Sequence, residues 1–282
     1  MKQLIIDKKG VTLDFENNCV VVKSDNAGQT IPIKYIQQVI CLHNVQISTR
    51  LLGLFNENGI DFCVINNRYT ERTYGLYGKQ YNDGKRRLSW YTVLTTPEIK
   101  RQIAQYVVQL KVTKQRTFQR YMGVMPTARL IINKSTNAPQ LLGIEGAQQR
   151  QYWQWYKQFF SSTLQFNARL RRPPPDPVNV CLSLAYTLLY HNCTRVLIVA
   201  GLDPYLGCYH TPCHGRYSLS CDLMEPMRII VDYFVLQLFA NEHLTQRHFS
   251  HHNDHCVLLK EGRLVFYQHW DKHQEYVMKT AS

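Results

Sequence analysis

Residues 218–225 read Ser-Leu-Ser-Cys-Asp-Leu-Met-Glu, so Asp222 and Glu225 stand three positions apart. On a helix that spacing puts both carboxylates on one face. Two carboxylates there repel each other unless a cation or a proton lies between them, and hard oxygen donors suit Mg2+ or Mn2+. A solvated acidic turn near a helix start has the same composition, and both readings stand at this level. Upstream, Gly201-Leu-Asp-Pro204-Tyr-Leu-Gly207-Cys-Tyr-His210 is dense in Gly and Pro, which makes a shaped loop able to aim His210. An imidazole beside carboxylates admits Mn2+ as well as Mg2+. A histidine after a loop is equally an ordinary surface or core residue.

Two rival constellations lie near or beyond this segment. Cys208, His210, Cys213, His214 and Cys221 could be read as a zinc site, but they lack paired C-x-x-C units. His248, His251, His252 and His255 cluster beside Cys256, with His251 and His255 four apart. No Glu follows the first His as a metalloprotease helix requires, so a solvent-facing His-rich loop is expected. Neither a glycine-rich phosphate loop nor a nucleophile elbow is present.

A third acid is singled out by its surroundings. Between Ile99 and Pro175 the one carboxylate is Glu145, against thirteen Lys or Arg running from Lys100 to Arg172. The whole chain carries 33 basic and 20 acidic residues, a formal charge of +13. Such a surface attracts polyanions, and nucleic-acid phosphates supply the counter-charge. The basic stretch is therefore expected to bind DNA backbone, with Arg169, Arg171, Arg172 and Arg216 as candidate phosphate contacts or ordinary surface charge. A carboxylate kept inside that field suggests metal ligation; a Glu favoured at a helix N-terminus is the plainer account. Tyr152, Trp153, Trp155, Tyr156, Phe159 and Phe160 could stack on bases, but their helical spacing points to a core.

These groups need a scaffold. At roughly 150 residues per domain, 282 residues suggest two. Residues 1–84 hold short apolar runs, such as Leu4-Ile5-Ile6 and Cys19-Val20-Val21-Val22, separated by turn chemistry at Asn17-Asn18 and Asp25-Asn26-Ala27-Gly28. One helix is expected between Ser48 and Gly59. The expectation is a small sheet or sandwich. From residue 85 onward the period becomes helical: a short helix at 86–94, a longer one from Pro97 toward Tyr121, one capped by Asp176 and Pro177, and one over 218–240 kinked at Pro226. Residues 196–200 are ambiguous between strand and helix. The fold class expected is α+β, a small N-terminal β domain (1–84) followed by a larger all-α C-terminal domain (85–282). The longest apolar stretch, Val196 to Leu202, falls short of the roughly 20 residues a membrane helix needs, and Leu4-Ile5-Ile6 is too short for a signal core. Nine cysteines at irregular spacing fit a reducing compartment, so a cytoplasmic location is expected.

Three blocks together resemble one family, the CRISPR adaptation integrases known as CRISPR-associated protein one. Leu141-Leu-Gly-Ile-Glu145-Gly-Ala resembles the block with that family's first metal-binding glutamate. Arg171-Arg-Pro-Pro-Pro-Asp176-Pro-Val-Asn179 with the helix after it resembles its Arg-Pro-rich loop. The span from Gly201 through His210 to Asp222-Leu-Met-Glu225 resembles its remaining metal block. Cys208 stands where the family usually has an apolar residue, and Cys213-His214 enlarges the loop, without removing a ligand. The resemblance covers nearly the whole chain. It implies a catalytic helical domain and an N-terminal domain that forms a homodimer. It implies one Mg2+ or Mn2+ on Glu145, His210 and Glu225, with Asp222 as a supporting or alternate ligand. It implies endonuclease and strand-transfer chemistry, in which a captured fragment's 3′ hydroxyl attacks a CRISPR repeat strand. The partners implied are double-stranded DNA and a small ferredoxin-fold adaptation subunit.

Overall fold

Short β-branched runs at the start of the chain pair into two sheets around one apolar core. The structure is a computed structural model that describes residues 3–24, 27–65, 73–78, 84–124, 136, 138–252 and 255–281. Asp25 and Asn26 of one expected turn, and Arg129 and Lys134 of the basic run, lie outside these residues. The chain divides into two compact units. One comprises Met1–Gly84, Arg195–Leu202 and Gln274–Ser282, and the other Lys85–Thr194 and Asp203–His273.

In the first unit, β1 (Gln3–Ile6), β5 (Gln38–Cys41) and β7 (Asp61–Val64) run parallel, with β8 (Tyr74–Leu76) antiparallel on β7. The second sheet has the order β4 (Ala27–Pro32), β3 (Cys19–Ser24), β2 (Val11–Glu16) and β6 (Val45–Ile47). Every residue of β5 is buried, as expected of a strand inside a parallel sheet. α1 (Thr49–Glu57) starts where the Ser48 hydroxyl accepts from the Leu51 amide at 3.2 Å. Its Leu51 and Phe55 join Ile6, Leu13, Val20, Val39 and Phe62 in a core shared by both sheets. β6 and β8, three residues each, were not among the expected strands. Neither carries enough alternation to read from sequence.

The second unit is helical. Its helices are α2 (Gly84–Thr95), α3 (Pro97–Tyr121), α4 (Ala138–Tyr156), α5 (Pro177–Val199), α6 (Ser218–Met224), α7 (Arg228–Ala240) and α8 (Lys260–Ala281), although Gly84, the end of α5 from Arg195 and the end of α8 from Gln274 belong to the first unit. The ambiguous residues 196–199 are the last turn of α5, so continuity of the helix overrides their β-branched propensity. At Pro226 the helix expected over 218–240 breaks into a 3-10 turn, Glu225–Met227, because proline offers no amide to the ladder. The region is not purely α: β9 (Phe249–His252) and β10 (His255–Leu258) form an antiparallel hairpin where a His-rich loop was expected. His252 lies opposite His255 across the strands, so His251 and His255 share no helix face. Tyr152, Trp155 and Tyr156 are buried, so these three serve the core rather than base stacking. Among the described residues no helix is long and apolar enough to cross a membrane.

Asp176 sets the start of α5. Its Oδ1 accepts from the Asn179 amide at 2.8 Å, and its Oδ2 from the Asn179 side chain at 2.6 Å. Asn179 in turn accepts from the Leu170 amide at 2.9 Å and donates to the Ala168 carbonyl at 2.8 Å, tying down the chain that carries Arg169. Replacing Asp176 by Ala removes the cap and strands a buried amide. The expected loss is about 2 kcal/mol, read as a fall of roughly 4–8 °C in Tm, with Asp176→Asn losing less.

Candidate active site

The buried stripe of α3 runs Ala104, Val108, Lys111, Val112, Gln115, Phe118 and Gln119. Lys111 therefore sits on an inward face, only 5% exposed. Burying an ammonium is costly unless anions meet it, and two carboxylates do. Its Nζ pairs with Oε1 of Glu145 on α4 and lies 2.7 Å from Oε2 of Glu225. Glu145 is the eighth residue of α4, so the helix N-terminal explanation for it does not apply. The basic field expected around Glu145 is thus partly internal, since one of its thirteen cations neutralises Glu145 directly.

Glu225 ends α6 and opens the turn at Pro226, and its side chain is 4% exposed. Its Oε1 meets Nη2 of Arg228 at 2.9 Å. Oε2 is buried and receives no directed hydrogen bond beyond the approach of the Lys111 ammonium. Burial alone would push the Glu225 carboxyl up, but the Arg228 guanidinium and the Lys111 ammonium outweigh it and hold the group down at about 2.

Asp222 has a different task from the one its spacing suggested. Its Oδ2 accepts from the amides of Cys208 at 2.6 Å and Tyr209 at 3.0 Å, and its Oδ1 from the amide of His210 at 2.8 Å. Oδ1 also meets Nδ1 of His210 at 2.8 Å. A carboxylate only accepts, so Nδ1 carries a proton, and whenever the ring is neutral the lone pair is on Nε2. Nε2 lies 3.8 Å from Oε1 of Glu225. Asp222 and Glu225 therefore bracket the imidazole rather than sharing one cation, and Asp222 is committed to the loop. Gly207 permits this closeness: a Cβ there would lie 2.8 Å from Oδ2 of Asp222 and 2.8 Å from the His210 carbonyl. The loop is anchored further by the Leu219 amide on the Pro204 carbonyl at 2.9 Å and by the Trp90 indole on the Leu206 carbonyl at 3.1 Å.

Behind Glu225 lies a buried polar relay. Arg228 stacks over the Tyr186 ring, 4.9 Å from its centroid, and the Tyr186 hydroxyl donates to Asp232. Tyr152 donates to the other oxygen of Asp232 at 2.7 Å, and Tyr156 to its carbonyl at 2.7 Å. Tyr152 and Tyr156 belong to the aromatic run, while no spacing in the sequence singles out Arg228 and Asp232. Lys111 escaped as a site residue too, although a lysine among Val108, Val112 and Gln115 at helical spacing was a usable sign.

Of the candidate DNA contacts, Arg171 and Arg172 are exposed. Arg169 is half-buried and donates to Asn179 at 2.9 Å and Ser183 at 3.0 Å, with burial pushing its pKa down to about 10. Arg216 donates to the Thr211 carbonyl. Among the described residues no three His, Cys, Asp or Glu side chains converge tightly enough to hold a metal by themselves. Cys213 is exposed while Cys208 is buried, so the zinc reading gains no geometry. At Glu145 and Glu225 the cation in contact is the Lys111 ammonium. The donor set around it, two carboxylates and an imidazole, is of the kind that Mg2+ or Mn2+ takes.

Burial pushes the Asp232 carboxyl up to about 6, against the pull of its two tyrosine donors. In that case the folded state holds a proton that the unfolded chain releases near pH 4. Stability from this group is full below that pH, falls as pH rises toward 6, and is level above it. Asp232→Asn lacks this slope. Its Tm difference from the wild type should shift in the variant's favour between pH 4 and 6 and then stay constant, as read by thermal unfolding across that range.

The family model for CRISPR associated protein Cas1 matches residues 4–272. A CRISPR-associated endonuclease Cas1 of Thermodesulfovibrio yellowstonii is 30% identical over 302 aligned positions, covering 99% of this chain and 94% of that relative. A Cas1 protein from Thermotoga maritima superposes with a TM-score of 0.85 at 21% identity, over 98% of this chain and 91% of its own. A casposase bound to integration product superposes at 0.82 with 20% identity, over 97% and 82%. With the match running almost from end to end and through the segments that carry Glu145, His210 and Glu225, the chain belongs to the Cas1 family.

Proposed function

We propose that the protein is a metal-dependent DNA endonuclease and strand-transfer integrase of CRISPR adaptation. The observation that carries this reading is the meeting of a half-buried carboxylate from α4 and a buried one from the turn after α6 with the Nε2 side of an imidazole steered by Asp222. The endonuclease name of the Thermodesulfovibrio relative and the integration product held by the casposase support the same chemistry.

Glu145, Glu225 and Nε2 of His210 would hold the Mg2+ or Mn2+ ion. Such an ion supplies neutralisation of phosphate charge and activation of the attacking oxygen. The chain's own groups do the rest. Asp222 fixes the His210 tautomer so that its lone pair faces Glu225. Arg228 keeps the Glu225 carboxyl ionised and oriented. In the reaction, a fragment's 3′ hydroxyl attacks a repeat-strand phosphodiester; one P–O bond forms, another breaks, and a 3′ hydroxyl leaves. Water as the attacker gives hydrolysis. Exposed cations such as Lys114, Arg120, Arg150, Arg171 and Arg172 would draw double-stranded DNA to the surface. The proposal includes assembly as a homodimer with a small ferredoxin-fold adaptation subunit; a neighbour solved as a Cas6-RT-Cas1–Cas2 complex supports a protein partner.

A second reading, a DNA-binding scaffold whose carboxylates serve only the fold, draws on the Lys111 ion pairs. Mn2+-dependent strand transfer by the purified protein with its partner subunit and a repeat-containing plasmid decides between them. Glu145→Ala should keep its fold, because Lys111 remains paired with Glu225. Its DNA affinity should hold or rise, since the field becomes more positive. Strand transfer should drop by about 10³-fold or more. Near-normal strand transfer in this variant would remove Glu145 from the ligand set. Reversing the charge of Lys114, Arg120 and Arg150 together should weaken DNA binding and flatten its dependence on salt; an unchanged salt slope would place the DNA surface elsewhere.

A further inference from the structure

We propose that Lys111 is a built-in counter-cation that occupies the metal position of the ion-free protein and is driven out when a divalent ion binds. The proposal rests on the reading of this site as a divalent metal centre, and it adds a residue that the ligand set does not include. The starting point is the double pairing: one ammonium, 5% exposed, lies against Oε1 of Glu145 and 2.7 Å from Oε2 of Glu225. Those two side chains come from separate elements, and the ammonium sits against the carboxylates that would hold the ion.

Coexistence is disfavoured for two reasons. A divalent ion takes carboxylate oxygens at roughly 2.0–2.5 Å, and the lysine already stands against the same oxygens. An ammonium left within a few ångströms of a doubly charged ion in a buried setting is also strongly repelled. Lysine can yield, because its charge rides on a flexible four-carbon stem. Metal binding at this site is therefore an exchange, a single positive charge out and a double one in, with a net gain of one charge.

The arrangement has a use on both sides of the exchange. Without metal or Lys111, Glu145 and Glu225 would face each other as two anions, one half-buried and one buried. Arg228 answers only the Oε1 side of Glu225, and Lys111 satisfies the rest, so the helices hold their places before an ion arrives. With metal, the displaced cost weakens apparent affinity, so the site loads only when the ion is abundant. Gln115 and Gln119 continue the same buried face of α3 without charge, so within that stripe the compensation is concentrated at Lys111.

The test uses the full chain without DNA. Lysines are dimethylated with formaldehyde and cyanoborohydride, with and without Mn2+, and the modification of Lys111 is read by mass spectrometry against exposed Lys114. Lys111 should be protected in the ion-free protein and become reactive as Mn2+ saturates, while Lys114 stays constant. In parallel, Mn2+ affinity is measured calorimetrically for the wild type, Lys111→Met and Glu145→Ala. Lys111→Met should bind Mn2+ about tenfold tighter or more, start from a lower ion-free Tm and gain more Tm from the ion. If the wild type binds Mn2+ in a manner lost in Glu145→Ala, yet Lys111 stays protected and Lys111→Met binds no more tightly, the exchange is overturned while the metal centre stands. If no protein binds Mn2+ in a Glu145-dependent manner, both fall together. Should Lys111→Met fail to fold, the protection of Lys111 in the wild type decides the matter alone.

Discussion

An ammonium buried between two carboxylates is the interaction on which the helical unit of this protein turns. Lys111 comes from α3, Glu145 from α4 and Glu225 from the turn after α6. Each of these charges would be expensive in an apolar interior alone, and removing one strands the others. The elements therefore have to pack in the one arrangement that brings the charges together. The apolar contacts of Ala104, Val108 and Leu141 press α3 and α4 together beside that cluster. Tyr209, from the loop before His210, packs against the same patch.

The acidic residues divide the work. Glu225 is the charged partner, held ionised by Arg228 and Lys111. Asp222, one helical turn earlier, spends its oxygens on three loop amides and on Nδ1 of His210. That converts a Gly- and Pro-rich loop into a rigid holder for one imidazole. Orientation of a histidine through its second nitrogen is the usual way a protein presents the first. The loop can approach so closely because Gly207 has no Cβ to collide with Asp222. Deeper still, Asp232 collects hydroxyls from Tyr152 and Tyr186, and the Tyr186 ring supports Arg228. The aromatic run thus reaches the site through packing rather than through a face offered to bases.

The strong positive charge of the chain resolves into two populations. Lys111 and Arg228 are buried or nearly so and balance acids inside the second unit. Arg169 is held by Asn179 and Ser183 at the start of α5. Lys114, Arg120, Arg150, Arg171 and Arg172 are exposed and have the character expected of a phosphate-facing surface. Counting charge along the chain cannot separate these groups, because burial is a property of the fold.

Much was legible before any coordinates. Short apolar or alternating runs bounded by turn residues marked β1, β2, β3, β5 and β7, and capping chemistry at Ser48 and Asp176 marked α1 and α5, because those signals are local. The family was readable from joined motif blocks, the same blocks that carry Glu145, His210, Asp222 and Glu225. What stayed hidden depends on distant partners. β6 and β8 exist because longer strands offer edges to pair with. The turn at Pro226 was foreseeable, whereas its consequence, a Glu225 side chain turned toward α3, was not. The i, i+3 spacing correctly placed Asp222 and Glu225 together but could not tell that an imidazole would stand between them. Nor could it tell that the cation meeting Glu145 would be a lysine 34 residues earlier in the chain. Spacing along a helix constrains neighbours one turn apart; which charge answers a buried carboxylate is decided by whichever side chains the packed helices bring within reach, where low dielectric makes that meeting count.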